Sequence, residues 1–143
     1  MKLSLSICLI LLMFGCDPID ERLLISNNSD EIIFYLISPR IELDGQSPFK
    51  NSFEIVDKDT VWDETSNLVF PSSSKTPVII GRNGWEDFIN EDCQDNKLKV
   101  FIFQKSLISK VPWDTIVANQ QFSKKYELTI EDLERNNWQV KYE

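Results

Sequence analysis

Lys97-Leu98-Lys99-Val100-Phe101-Ile102-Phe103-Gln104 is the most strand-like stretch of the chain. Its second half is β-branched and aromatic, with no polar residue from Val100 to Phe103. A half-buried strand alternates apolar with polar residues, whereas a continuous apolar run marks a strand covered on both faces. The stretch therefore predicts a central strand, buried on both faces over its second half.

Working outward, residues 112–119 predict a short helix, with Pro112 in the first turn and Trp113, Ile116 and Val117 on one face. Residues 122–128 predict a strand whose Phe122, Lys124, Tyr126 and Leu128 face away from Ser123, Lys125 and Glu127. Thr129 then caps a single helical turn, with Asp132 in the capping-box position and Leu133 pointing inward. Residues 138–142 close the chain as a strand, alternating Trp138, Val140 and Tyr142 with Gln139 and Lys141.

Upstream of the central strand, Asn83-Gly84-Trp85-Glu86 reads as a helix start, with Asn83 as cap and Glu86 three residues on. That helix is expected to stop by Ile89, before an acidic loop over residues 91–96. Residues 68–70 and 77–80 predict strands joined by a linker at 71–76. Residues 53–56 and 60–62 predict strands around an Asp57-Lys58-Asp59 turn. Residues 22–26 and 31–38 predict a hairpin across the turn Asn27-Asn28-Ser29-Asp30, whose residues tolerate left-handed backbone. Residues 41–52, with Gly45 and Pro48, read as loop. The expected fold is mainly β with a few short helices (α+β). An antiparallel β-sandwich-like arrangement is the first reading, and a single antiparallel sheet with helices on one face is the alternative.

Ahead of this domain stands an apolar run from Leu3 to Phe14, preceded by Lys2 and ended by Gly15-Cys16. It has the length of a signal-peptide apolar region and is too short for a bilayer, which takes about 20 apolar residues. Ordinary cleavage prefers small residues before the cut, and bulky Met13 or Phe14 would occupy the outer of those positions. The segment instead resembles a bacterial lipoprotein signal with its lipobox, Met13-Phe14-Gly15-Cys16. Met13 and Phe14 depart from the commonest form, which has Leu and then a small residue. The resemblance implies removal of residues 1–15, a diacylglycerol thioether on the sulfur of Cys16 and a further acyl chain on its amine. Two acyl chains suffice for stable anchoring. The expected organisation is a signal at 1–15, the lipidated Cys16 with a short acidic tether to residue 21, and one compact β-rich domain over 22–143.

Composition narrows the function classes. The 143 residues carry a formal charge of -8, three cysteines and no histidine. An acidic body repels nucleic acid and anionic headgroups, so attachment to a membrane has to come from lipid. No nucleic-acid partner is expected. Once Cys8 leaves with the signal and Cys16 is lipidated, Cys93 stands alone, and no internal disulfide is expected. Lack of histidine removes the commonest general base and metal ligand together. No cofactor, metal or catalytic residue is assigned.

Several segments resemble small uncharacterised lipoproteins of Bacteroidetes. They are the 99–103 strand with Val111-Pro112-Trp113-Asp114-Thr115-Ile116, then Lys125-Tyr126-Glu127-Leu128-Thr129-Ile130-Glu131-Asp132-Leu133 with Asn137-Trp138-Gln139-Val140-Lys141-Tyr142. Ile25-Ser26-Asn27-Asn28-Ser29 and the lipobox join them. This likeness covers about the C-terminal third and the N-terminal hairpin. It implies an envelope location with the outer membrane favoured, and it brings no activity. It also implies O-glycosylation at Asp, then Ser or Thr, then an apolar residue, which fits Thr60 in Asp59-Thr60-Val61 and Thr115 in Asp114-Thr115-Ile116.

Chemistry-bearing patterns are few. Ser72-Ser73-Ser74-Lys75 has the Ser-x-x-Lys spacing of serine β-lactamases, but it lies between strands and lacks their other motifs. Cys93, beside Glu91, Asp92 and Asp95, is expected to be a poor nucleophile, because negative neighbours disfavour the thiolate. Glu86, Asp87, Glu91, Asp92 and Asp95 lack calcium-loop spacing and read as solvated surface. Trp113 and Trp138 sit in periodic patterns and read as core. Trp62 and Trp85, beside turns and acids, are the candidate ligand-facing aromatics. The expected function is a lipid-anchored, non-enzymatic envelope module that meets an envelope protein or a glycan. The alternatives are a small glycan-directed hydrolase working through carboxylates and a structural subunit of an envelope complex.

Overall fold

A computed structural model describes residues 18–45, 47, 53–56, 59–62 and 67–143, with 53–56 and 59–62 described by their backbone alone. The chain opens with three strands, β1 (Ile19–Asp20), β2 (Leu24–Asn27) and β3 (Ile33–Ser38). An antiparallel hairpin follows, β4 (Phe53–Val56) with β5 (Asp59–Trp62). Next come β6 (Leu68–Val69), β7 (Ser73–Lys75), β8 (Ile79–Ile80) and helix α1 (Gly84–Asp87), which runs on as a π-helical turn, Phe88–Asp92. The remaining elements are β9 (Leu98–Gln104), α2 (Lys105–Lys110), α3 (Trp113–Ala118), β10 (Lys124–Leu128), α4 (Ile130–Arg135) and β11 (Gln139–Tyr142).

The apolar run of β9 does what its composition predicts. Residues 98–103 are all buried, and the strand lies inside a four-stranded antiparallel sheet ordered β10-β9-β3-β6. Side chains alternate across a strand, so β9 feeds two cores. Leu98, Val100 and Ile102 join Ile33 and Tyr35 of β3 against Ile25 of β2 and Val140 and Tyr142 of β11. Phe101 and Phe103 join Phe34 against Leu107 and Ile108 of α2 and Ile116 of α3. Phe103 meets Trp113 edge to face at 5.6 Å between ring centroids. The molecule is thus mainly β with short helices. A second sheet packs on one face of the central sheet, and α2 and α3 cover the other.

That second sheet, ordered β11-β2-β7, overturns two expectations. Residues 22–26 and 31–38 do not form a hairpin, because β2 and β3 belong to different sheets. Both edges of β2 are taken, by β11 in parallel register and by β7 antiparallel. The link to β3 is organised by Asn27 instead. Its amide donates to Glu31 O (2.8 Å) and Val69 O (3.0 Å), and its carbonyl oxygen accepts from Ser29 N (3.0 Å). The serine-rich linker is itself a strand, β7, with Ser74 Oγ and Ser26 Oγ 2.9 Å apart. Backbone pairing at a sheet edge does not require apolar side chains.

Smaller differences follow the same logic. Ile19 and Asp20, in the expected tether, pair with Ile80 and Ile79 as a short strand. Asn83 makes no side-chain cap, and Glu86 turns to Arg22 instead of closing a capping box. The expected box at Thr129 and Asp132 is fully formed, and Leu133 is buried beneath it.

Candidate functional site

Two polar constructions stand out from this frame. The first is a clasp on Arg22. Strand β1 turns Asp20 inward, opposite Ile79, where its side chain is 1% exposed. A carboxylate so placed needs charge-assisted partners. Arg22 supplies them as a fork, with Nε 2.9 Å from Oδ1 and Nη2 2.6 Å from Oδ2. The same guanidinium reaches α1, where Nη1 lies 2.7 Å from Glu86 Oε1 and Nη2 bonds Oε2. Its plane sits over Trp138, 4.2 Å from the ring centroid. Trp85 N also donates to Asp20 Oδ2, at 3.3 Å. Hydrogen bonds from Arg22 hold the Asp20 carboxyl below the usual range, against the opposing effect of burial. Arg22's separate bonds to Glu86 lower that carboxyl likewise, and Asp20 followed by Glu86 raises Arg22. The clasp ties the N-terminal strand to α1 and to the ring that precedes β11.

The second is a cleft of about 400 Å³ between β10 and β11, the neighbouring edges of the two sheets. Its polar lining is Tyr126, Arg135, Asn136, Asn137, Gln139 and Lys141, without a carboxylate among the described residues. Tyr126 Oη donates to Lys141 O at 2.5 Å, bridging the strands. Arg135 leans on Asp132 at 3.2 Å. The turn that shapes the cleft places Asn137 and Trp138 at φ 52° and 58°. Asparagine tolerates this region, but tryptophan rarely enters it. Trp138 is held there by a 2.7 Å bond from its N–H to Leu133 O, by Arg22 above its ring, and by burial to 8% exposure. An acidic protein that gathers two cations and three amides in one cleft offers donors to an acceptor-rich ligand.

The sequence candidates are dispersed. Cys16 lies outside the described residues. Trp62 and Thr60 stand in β5, opposite Phe53 and Ile55, and their side chains lie outside the description. Trp85 is not a ligand-facing residue: only 3% of it is exposed. It packs in the first core, edge to face with Phe88 at 6.2 Å, because α1 lies against β1 and β8. Its Nε1 is buried with no hydrogen-bond partner among the described residues. Trp138 is core, as its periodicity suggests. Trp113 is half-buried on the second core, with Nε1 3.0 Å from Gly45 O. Thr115 is exposed on α3.

Ser72 precedes strand β7 and Lys75 is its last residue, so their spacing does not set them on one helical turn. The acids separate, Glu86 to Arg22 and Asp95 to Lys99. Lys99, missed by sequence reasoning, is fully buried at the end of β9. There its Nζ bonds Asp95 Oδ1, Gln94 O and, at 3.0 Å, Lys97 O. Cys93 is buried, and burial is the leading reason its thiol is pushed up. Lys99 opposes that shift, and Asp92 and Asp95 add to it. The cleft had no sequence signal: its lining lies within residues 126–141, but β10 and β11 belong to different sheets, and no local pattern marks two sheet edges that come together.

The chain matches no protein-family model, and neither a curated protein nor a solved structure matches it.

Proposed function

We propose that this chain is a lipid-anchored module of the cell envelope that binds a partner and does not transform it. The reading places the anchor at Cys16 and favours the outer membrane, following the resemblance to Bacteroidetes lipoproteins. Thr60 and Thr115 are the proposed glycosylation positions. The observation that carries the binding reading is the donor-lined cleft between β10 and β11. Its chemistry suits a saccharide or another ligand rich in hydroxyl and carboxylate oxygens. A carboxylate hydrolase finds less support. Glycoside hydrolysis needs one carboxyl kept protonated beside one ionised. The two carboxylates that meet beside Trp85, Asp20 and Glu86, are both lowered by the arginine between them.

The anchor is tested by the intact mass of the mature protein purified from membranes, with fatty-acid labelling of the wild type and of Cys16→Ala. A chain starting at an acylated Cys16, with label lost in the variant, is the expected result. An unmodified Cys16 overturns the anchor. The binding role is tested by titrating envelope glycan fragments into the full-length protein while following its intrinsic tryptophan fluorescence, to which Trp138 beside the cleft contributes. Saturable change that Lys141→Glu abolishes is expected. A response identical in wild type and variant removes the cleft from the reading.

A further inference from the structure

Among the described residues, five large apolar side chains are exposed, and three of them gather at one place. Ile19, Val78 and Ile80 are 59%, 56% and 71% exposed. Ile19 and Ile80 are direct partners in the antiparallel β1–β8 ladder, so their side chains project from the same face. Val78 precedes Ile80 by two residues, and exposure alternates along residues 76–80, which puts Val78 on that face too. The opposite face of the same ladder carries Asp20 and Ile79, turned inward. This small apolar plate is firmly mounted. Gly81 N donates to Pro18 O at 2.7 Å, Arg22 grips Asp20, and Gly84 lies so close to Ile79 that a Cβ there would fall 2.6 Å from its Cγ2.

The position of the plate in the chain names its occupant. Ile19 follows Cys16 by three residues, and three residues of chain span at most about 11 Å. With acyl chains on Cys16, the plate lies within that reach of the bilayer surface. The geometry points to a membrane-seating face: Ile19, Val78 and Ile80 rest in the interfacial zone of the bilayer beside the lipid anchor and fix the orientation of the domain. This inference rests on acylation of Cys16. Glu21 and Arg82 are exposed beside the plate and the whole chain is acidic, so the seat is apolar and not electrostatic. Its occupancy should therefore not weaken when salt is raised or when anionic lipid is reduced.

The test uses the full-length acylated protein in vesicles of phosphatidylethanolamine with phosphatidylglycerol. Ile80→Cys carries an environment-sensitive fluorophore; Cys93 is buried and Cys16 is blocked by lipid, so the label goes to one site. Ser109→Cys, exposed on α2 against the other core, is the wet control. The expected result is blue-shifted emission at position 80 that is quenched by spin-labelled lipid and not reversed by salt, with neither the blue shift nor the quenching at position 109. Equal, water-like emission at both positions overturns the seat. Disulfide-linked dimers of the unlabelled Ile80→Cys variant, with no lipid quenching of the labelled one, assign the face to a second copy and also overturn it. The intact mass of the same sample separates the two failures: an acylated protein with a wet position 80 sinks the seat alone, whereas an unacylated Cys16 sinks the anchor and the seat with it.

Discussion

Asp20 takes its counter-charge from Arg22, and removing that arginine would leave a carboxylate that is 1% exposed without its main partner. Orphaning a fully buried ion costs about 3–5 kcal/mol. Arg22 itself is 39% exposed, so water can enter the vacated space, and Arg22→Ala is expected to cost about 2 kcal/mol. Urea unfolding measures it; an unchanged midpoint would show the clasp to be ornamental. The pH dependence has a definite sign. Asp20 and Glu86 are both lowered in the folded state, so their stabilisation is present above their ordinary values near 3.8 and 4.5 and fades as pH falls through the folded values. The urea midpoint of the wild type should therefore drop on acidification below about pH 4.5, and that of Arg22→Ala should drop less steeply. Cys93 makes the opposite case. Burial raises its thiol, so a thiol reagent at mildly alkaline pH should label it only after denaturation. Rapid labelling of native protein would contradict the buried placement.

Among the elements, α4 is where a local signal translated directly into structure. Thr129 Oγ1 accepts from Asp132 N at 3.2 Å, and Asp132 Oδ2 accepts from Thr129 N at 3.1 Å. Thr129→Ala is expected to cost about 1 kcal/mol in urea unfolding, and Thr129→Ser should restore most of it. An equal loss in the serine variant would mean that the methyl group, and not the cap, matters. The capping box, the apolar run of β9 and the alternation of β11 were legible because each is written within a few consecutive residues. The β2–β3 hairpin was misread for the converse reason. Turn residues at 27–30 describe a bend, whereas which edge β2 pairs with is decided by β7 and β11, far along the chain. Strand β7 was hidden because serine carries no apolar pattern. Trp85 was misplaced because its acidic neighbour looked like surface, when Glu86 in fact faces Arg22 while Trp85 turns the other way into the core.

At the scale of the whole molecule, β9 is shared by two cores, and the layers should not melt separately. Ile102→Ala, on the side of the second sheet, is expected to cost about 2–5 kcal/mol, and Phe101→Ala, on the side of the helices, about 3–5 kcal/mol. Each should move one and the same unfolding transition, seen at the same midpoint by tryptophan fluorescence and by far-ultraviolet circular dichroism. Separate midpoints for the two probes would show that the helical layer unfolds on its own.

The parallel register between β2 and β11 has a consequence in time. Gln139 to Tyr142 line up with Leu24 to Asn27, so the second strand of the chain gains one of its two neighbours only when residues near position 140 arrive. A polypeptide threaded across a membrane from its N-terminus delivers those residues last. Until then the three-stranded sheet stays unfinished and Ile25 lacks Val140 beside it. For the exported module proposed above, this order would tie closure of the domain to complete passage of the chain.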